Sequence, residues 1–125
     1  MKALTLWQPW ASAIGRVKSI ETRSWRTRYR GELAIHAAAR TPPGYHHYFA
    51  TLAEQAGVTN PPMGAVISIA RLVDVVPVED LRISELERFW GDYSPGRYGW
   101  ILEDVRPLPE PLKANGKQLL WDWQQ

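Results

Sequence analysis

Apolar positions in this chain fall into short alternations and runs that glycine and proline punctuate closely. Leu4-Thr5-Leu6 reads as a short strand. Pro9 suits the first turn of a helix, which the pattern carries from about Pro9 to Val17. Ser19 to Trp25 reads as extended, and Arg28-Tyr29-Arg30-Gly31 as a turn. From Glu32 to Ala38 the alternation is regular: Leu33, Ile35 and Ala37 point one way, and Ala34, His36 and Ala38 the other. Pro42-Pro43-Gly44 opens a helix from Tyr45 to Ala56, stopped by Gly57. Asn60-Pro61-Pro62 turns into the longest strand, Gly64 to Val76, rich in β-branched residues and ended by Pro77. Ser84 to Trp90 reads as a short helix, with Ser84 as N-cap and Glu87 at capping-box spacing. Tyr98 to Val105 and Gln118 to Trp123 are the last two strands, joined by an extended link stiffened by Pro107, Pro109 and Pro111.

This order predicts an α+β fold: a small, partly closed β-barrel with two or three peripheral helices, and no βαβ parallel sheet. At 125 residues the chain is one domain, 1–125, large enough to close a core without metal or disulfide staples. It has no cysteine, which excludes disulfides, thiolate metal sites and a cysteine nucleophile. No apolar run approaches the ~20 residues of a membrane span. The opening Met-Lys-Ala-Leu-Thr-Leu-Trp is too soon interrupted for a signal peptide, so the expected location is cytoplasmic, with no membrane partner.

Charge changes the picture more than composition does. Six of the fifteen basic residues lie between Arg16 and Arg30, opposed only by Glu21, a local net of +5 against +2 for the whole chain. Trp25 and Tyr29 are interleaved with Arg23, Arg26, Arg28 and Arg30. Cations neutralise phosphates, and aromatic planes stack on unpaired bases. From Asp74 to Asp104, eight acids face three arginines, a local net of −5. An anionic ligand would be steered to one side if the two segments occupy different faces.

Glu21 is the odd residue of the basic strip. It lies two positions from Arg23 on an extended segment, so the two share a side. Lys18 has the opposite parity and joins them only by reaching over from a turn. A carboxylate between these cations stays ionised. It can accept from the exocyclic amine of a base, or activate a water while Lys18 faces a developing oxyanion. The bland alternative is an ion-pair cluster that staples the turn. His36 is either a ligand contact or acid/base on the inner wall, or a satisfied half-buried side chain. His46 and His47 are adjacent on a helix and diverge by ~100°, so no metal site is expected there. Trp25 and Tyr29 are read as exposed ligand contacts, and Trp7, Trp100, Trp121 and Trp123 as core.

Lys18-Ser19-Ile20-Glu21-Thr22-Arg23, after a Gly15-bearing helix end and a Leu6-Trp7-Gln8-Pro9-Trp10 opening, resembles the ASCH domain of the PUA-like superfamily. That family carries a Gly, then Lys-x-x-Glu-x-Arg, after its first helix, with Thr at the Glu position in some branches. Leu33-Ala34-Ile35-His36-Ala37, Gly64-Ala65-Val66-Ile67 and Tyr98-Gly99-Trp100-Ile101-Leu102 resemble later strands, so the likeness spans nearly the whole chain. Gly15 stands three residues before Lys18 where two is commoner, and Ser24 separates Arg23 from Trp25.

The resemblance implies a PUA-like barrel with a pocket beside the motif, and RNA or a modified nucleoside as partner. It implies no cofactor. On this reading Lys18, Glu21 and Arg23 form the floor of a basic cleft, and Arg26, Arg28 and Arg30 guide phosphate. Relatives include amidohydrolases of N4-acetylcytidine-like nucleosides and ribonucleases. The amidohydrolases use the Lys, the Thr and a further Glu. Glu21 replaces that Thr here, and Glu79, Glu85 and Glu103 are all candidates for the further acid. The alternatives are therefore such an amidohydrolase with Lys18 and Glu21 catalytic, a ribonuclease using His36, and a protein-interaction module.

Overall fold

In the computed structural model, which describes residues 1–124, six strands form one curled sheet, a half-barrel with three helices. In chain order the elements are β1 (Lys2–Leu6), α1 (Trp10–Ala13), β2 (Ile20–Arg23), β3 (Gly31–Ala37), α2 (Phe49–Gln55), β4 (Ala65–Pro77), α3 (Glu85–Phe89), β5 (Tyr98–Lys113) and β6 (Leu120–Asp122), with a 3-10 turn at Val78–Asp80. The sheet order is β2-β5-β4-β3-β1-β6. All neighbours are antiparallel except β1 and β3, which run parallel. The crossover between that pair carries α1 and β2, and β2 pairs at the far edge of the sheet. Among the described residues, no helix is long and apolar enough to cross a membrane.

The period-two pattern of β3 explains its central place. Leu33, Ile35 and Ala37 pack on one side with Leu4, Leu6, Ile14, Leu72, Trp100 and Leu102. Ala34 packs on the other side with Ala3, Val66, Trp121 and Trp123. A strand covered on both faces must be apolar on both, and among the buried residues of β3 only His36 breaks that rule. β4 and β5 are the long strands, and their pairing shifts register three times, at Val66/Ser68, Ile69/Arg71 and Leu72/Asp74. Each bulge bends the pair, which curls the sheet around the core.

Three elements differ from the sequence reading. The proline link is strand: β5 continues through Pro107, Pro109 and Pro111 to Lys113. Beyond Ile101 it has a sheet neighbour on the β4 side alone, and an edge strand tolerates residues that lack an N–H. α2 begins only at Phe49, so His46 and His47 lie in an exposed turn before it. α1 is four residues long. Pro9 follows a cis peptide bond, and the buried Gln8 side chain holds the helix start, accepting from Ser12 N–H at 2.9 Å and donating to Pro62 O at 2.8 Å. Ile14 is already extended.

Gly15 then closes a tight turn, its N–H donating to Lys18 O at 2.9 Å. This is the turn that delivers Lys18. Gly15 has φ +83°, and a Cβ there would sit 2.7 Å from Val105 Cγ1. Gly15→Ala is therefore expected to cost about 1–3 kcal/mol of stability, from backbone strain and the clash together. Urea unfolding of the variant beside wild type measures it.

Candidate functional site: a cavity floored by a buried charge trio

β2 carries Glu21 and Arg23 to one side of the sheet edge, and the turn before it brings Lys18 onto them. Lys18 Nζ donates to Glu21 Oε1 at 3.0 Å and to Trp90 O at 2.8 Å. Arg23 Nε donates to Glu21 Oε2 at 3.1 Å, and its NH2 donates to Thr5 O at 2.8 Å. The Lys18 side chain is 1% exposed and that of Glu21 12%. Burial pushes the Glu21 carboxyl up, but the charges of Lys18 and Arg23 and their hydrogen bonds outweigh it and hold the group below its ordinary range.

The loop after α3 is tied to the same strand. Thr22 Oγ1 accepts from Asp92 N–H at 3.0 Å, and Arg97 donates to Asp92 O at 3.0 Å and Thr22 O at 3.2 Å. Glu87, on α3, accepts from Ser19 N–H and Oγ–H at 2.7 and 2.9 Å. Tyr93 is part of this loop. Burial, with the nearby Glu87 and Glu21 charges, pushes its hydroxyl above the phenol range, so it stays protonated.

These ties frame a cavity of about 820 Å³, within the range of small-molecule sites. Lys18, Glu21 and Arg23 line its floor, with Trp25 beside them. Trp7, Trp10, Tyr45, Phe89 and Trp90 supply aromatic walls, and Lys117, Gln118 and Leu119 close another side. Trp7, Tyr45, Phe89 and Leu119 are exposed at its rim. Trp7 is therefore not the core residue its sequence context suggested. Cis-Pro9 and the fully buried Gln8 occupy the interior beside it.

The remaining basic residues do not join this floor. Arg26, Arg28 and Arg30 line a separate hollow of about 450 Å³ with Thr27 and Val75. Arg30 also pairs with Asp74 at 3.5 Å, so the basic and acidic segments meet rather than occupy opposite faces. Trp25 is half-buried, stacked edge-on against Trp100 with centroids 4.7 Å apart. Tyr29 is half-buried too, its hydroxyl donating to Glu32 O, and lines neither hollow. His36 is 1% exposed and does not line the cavity, and both its ring nitrogens are hydrogen-bonded. None of Glu79, Glu85 and Glu103 lines the cavity, whose second acid is Asp92.

The family model for the ASCH domain matches residues 4–111. The chain belongs to the ASCH domain family. Among solved structures, the ASCH protein of Zymomonas mobilis superposes with a TM-score of 0.53 at 20% identity, covering 90% of this chain and 72% of that one. Two point variants of that protein give TM-scores of 0.53 and 0.50 at 20% and 22% identity, each over 90% of this chain and over 74% and 72% of their own. At such identity the likeness is one of fold. No curated protein matches the chain.

Sequence reasoning missed Trp7, Trp10, Tyr45 and Lys117 as wall residues of this ASCH domain. The period of the pattern gives no signal for them: Trp7, Tyr45 and Lys117 come from irregular segments, and Trp10 opens a four-residue helix too short to show a period.

The trio also sets a pH dependence. A carboxyl whose folded-state value is depressed contributes stability that is whole above its ordinary value of 4.5 and is lost as pH falls through the folded-state value. Glu21→Gln should therefore be less stable than wild type at pH 7, by about 3–5 kcal/mol because Lys18 stays buried without its counter-charge. The gap should narrow below pH 4.5. Urea midpoints of both proteins from pH 3 to pH 7 test this.

Proposed function

We propose that this domain binds a base of RNA, or a modified nucleoside, in the cavity above Lys18, Glu21 and Arg23. The observation that carries the reading is hydrogen-bonding capacity left over at the floor. Glu21 Oε1 takes one donor, from Lys18, and a carboxylate oxygen can take two. Lys18 Nζ donates to Glu21 and Trp90 and has a third N–H. Among the described residues, one free acceptor thus stands beside one free donor. Together they complement a base edge that offers an amine next to a ring nitrogen, as cytosine and adenine do. Trp25 and the aromatic walls supply stacking surfaces, which suit a planar ligand better than an extended peptide.

Hydrolysis of an N4-acetylcytidine-like nucleoside is the second reading, favoured by the free N–H of Lys18 as an oxyanion partner. Against it, Glu21 is held ionised by Lys18 and Arg23 and its carboxylate is engaged by both, which makes it a weak base. His36, the acid/base of the ribonuclease reading, has both ring nitrogens occupied.

Titrating the protein with cytidine, N4-acetylcytidine, uridine and a single-stranded RNA oligomer, followed by tryptophan fluorescence and calorimetry, tests the proposal. Saturable binding is expected, with Trp25→Ala weakening it by about 1–3 kcal/mol, the worth of one stacked base. Glu21→Gln, checked for folding at the assay temperature, should lose the preference for cytidine over uridine. Absence of saturable binding by any of these ligands overturns the reading. Turnover of N4-acetylcytidine that Lys18→Ala abolishes would replace it with the hydrolytic one.

Arg26→Ala or Arg28→Ala should weaken the RNA oligomer alone, lowering its salt slope by roughly 0.7 each. Nucleoside affinity should not change, because those arginines line the other hollow.

A further inference from the structure

The family match ends at residue 111, yet Lys117, Gln118 and Leu119 line the cavity. The segment that carries them, from Ala114 to Leu119, follows β5 and leads into β6. It is seated on His36. His36 Nε2 lies 2.7 Å from Ala114 O, and Nδ1 lies 3.1 Å from Thr5 Oγ1. Thr5 Oγ1 already accepts from Trp121 Nε1 at 3.0 Å. The Thr5 proton is therefore free to go to Nδ1, which leaves the ring proton on Nε2, donating to Ala114 O. Trp121 stacks edge-on to the same ring, centroids 5.4 Å apart. A Cβ on Gly116 would stand 2.7 Å from both His36 Cε1 and Thr5 Oγ1, so the segment lies flat on this pair. The buried histidine, unexplained by the cavity floor, is the seat of a cavity wall.

What the wall brings is charge. Four cations line the cavity: Lys18, Arg23, Arg97 and Lys117. Lys18 and Arg23 share Glu21, and Arg97 pairs with Asp92 at 3.6 Å. Among the described residues, Lys117 has no carboxylate within ion-pair distance.

We infer that the Ala114–Leu119 strap is the specificity element of this site. His36 is its positioning residue, and Lys117 selects ligands that bear a phosphate, a nucleotide over the bare nucleoside. This rests on the base-binding reading and names the ligand class for it. The strap lies beyond the matched family region, residues 4–111. Asp122 feels the Lys117 charge but pairs with Lys2 at 3.0 Å, so the Lys117 ammonium at the cavity wall is left to attract a dianionic phosphate, and the selection weakens as salt screens it.

The test compares cytidine with cytidine 5′-monophosphate by calorimetry at low salt, on wild type, Lys117→Gln and His36→Gln. Amide hydrogen exchange of 114–119 is followed on wild type and His36→Gln. Wild type should bind the monophosphate about tenfold more tightly, the effect of one charge-assisted contact. Lys117→Gln should bring that ratio close to one, weakening the monophosphate far more than cytidine. His36→Gln should reduce the ratio and speed exchange across 114–119, while the β2 amides keep their protection.

A ratio near one in wild type, or a ratio that Lys117→Gln does not change, overturns the specificity claim while leaving base binding intact. Binding of neither ligand overturns the base-binding reading and the specificity claim with it. In that case the exchange arm still decides the seat: unchanged exchange in His36→Gln overturns the positioning role of the histidine.

Discussion

The site depends on a buried lysine that has one acidic partner. Lys18 is almost wholly enclosed, and an ammonium without a counter-charge in such a place would cost several kcal/mol. Glu21 supplies the charge and the Trp90 carbonyl supplies a second acceptor. Arg23 then neutralises the other carboxylate oxygen and reaches across to the Thr5 carbonyl on β1. Three elements distant in sequence are thereby pinned to one point: the turn after α1, the loop after α3, and β1. A hydrophobic contact could glue them, but it would not fix their relative position as closely as directional bonds to one carboxylate do.

The same arrangement leaves function open at the floor. A surface ion pair would be solvated and interchangeable. This trio is dry on one side and faces a cavity on the other, so its unused donor and acceptor keep fixed positions. Preorganised polar groups of this kind discriminate between ligands, because a wrong edge leaves one of them unpaired in a low-dielectric site. The aromatic walls add area without direction, and the polar floor adds direction.

Much of this was legible in the chain. The alternation around Leu33 and Ile35 marked the central strand, and the β-branched run before Pro77 marked β4. The two-residue spacing of Glu21 and Arg23 placed them together, and the odd parity of Lys18 required a turn, which Gly15 provides. The rest lay in tertiary relations that no local pattern encodes. Pro107, Pro109 and Pro111 signal an edge as well as a linker, and only the absence of a second neighbour decides between them. Arg26 to Arg30 continue the basic strip in sequence, but the chain turns after Trp25 and carries them into another hollow. His36 looked like a candidate acid or base because a histidine on an apolar strand is conspicuous. Its partners, Thr5 and Ala114, are 31 and 78 residues away.

The most direct test of the central claim is to follow the Glu21 carboxyl carbon by NMR while cytidine is titrated in at pH 7. The expected result is the resonance of an ionised carboxylate that moves saturably with the ligand, in step with the Trp25 indole. Cytidine binding that moves neither signal, or a Glu21 found protonated at that pH, would contradict it.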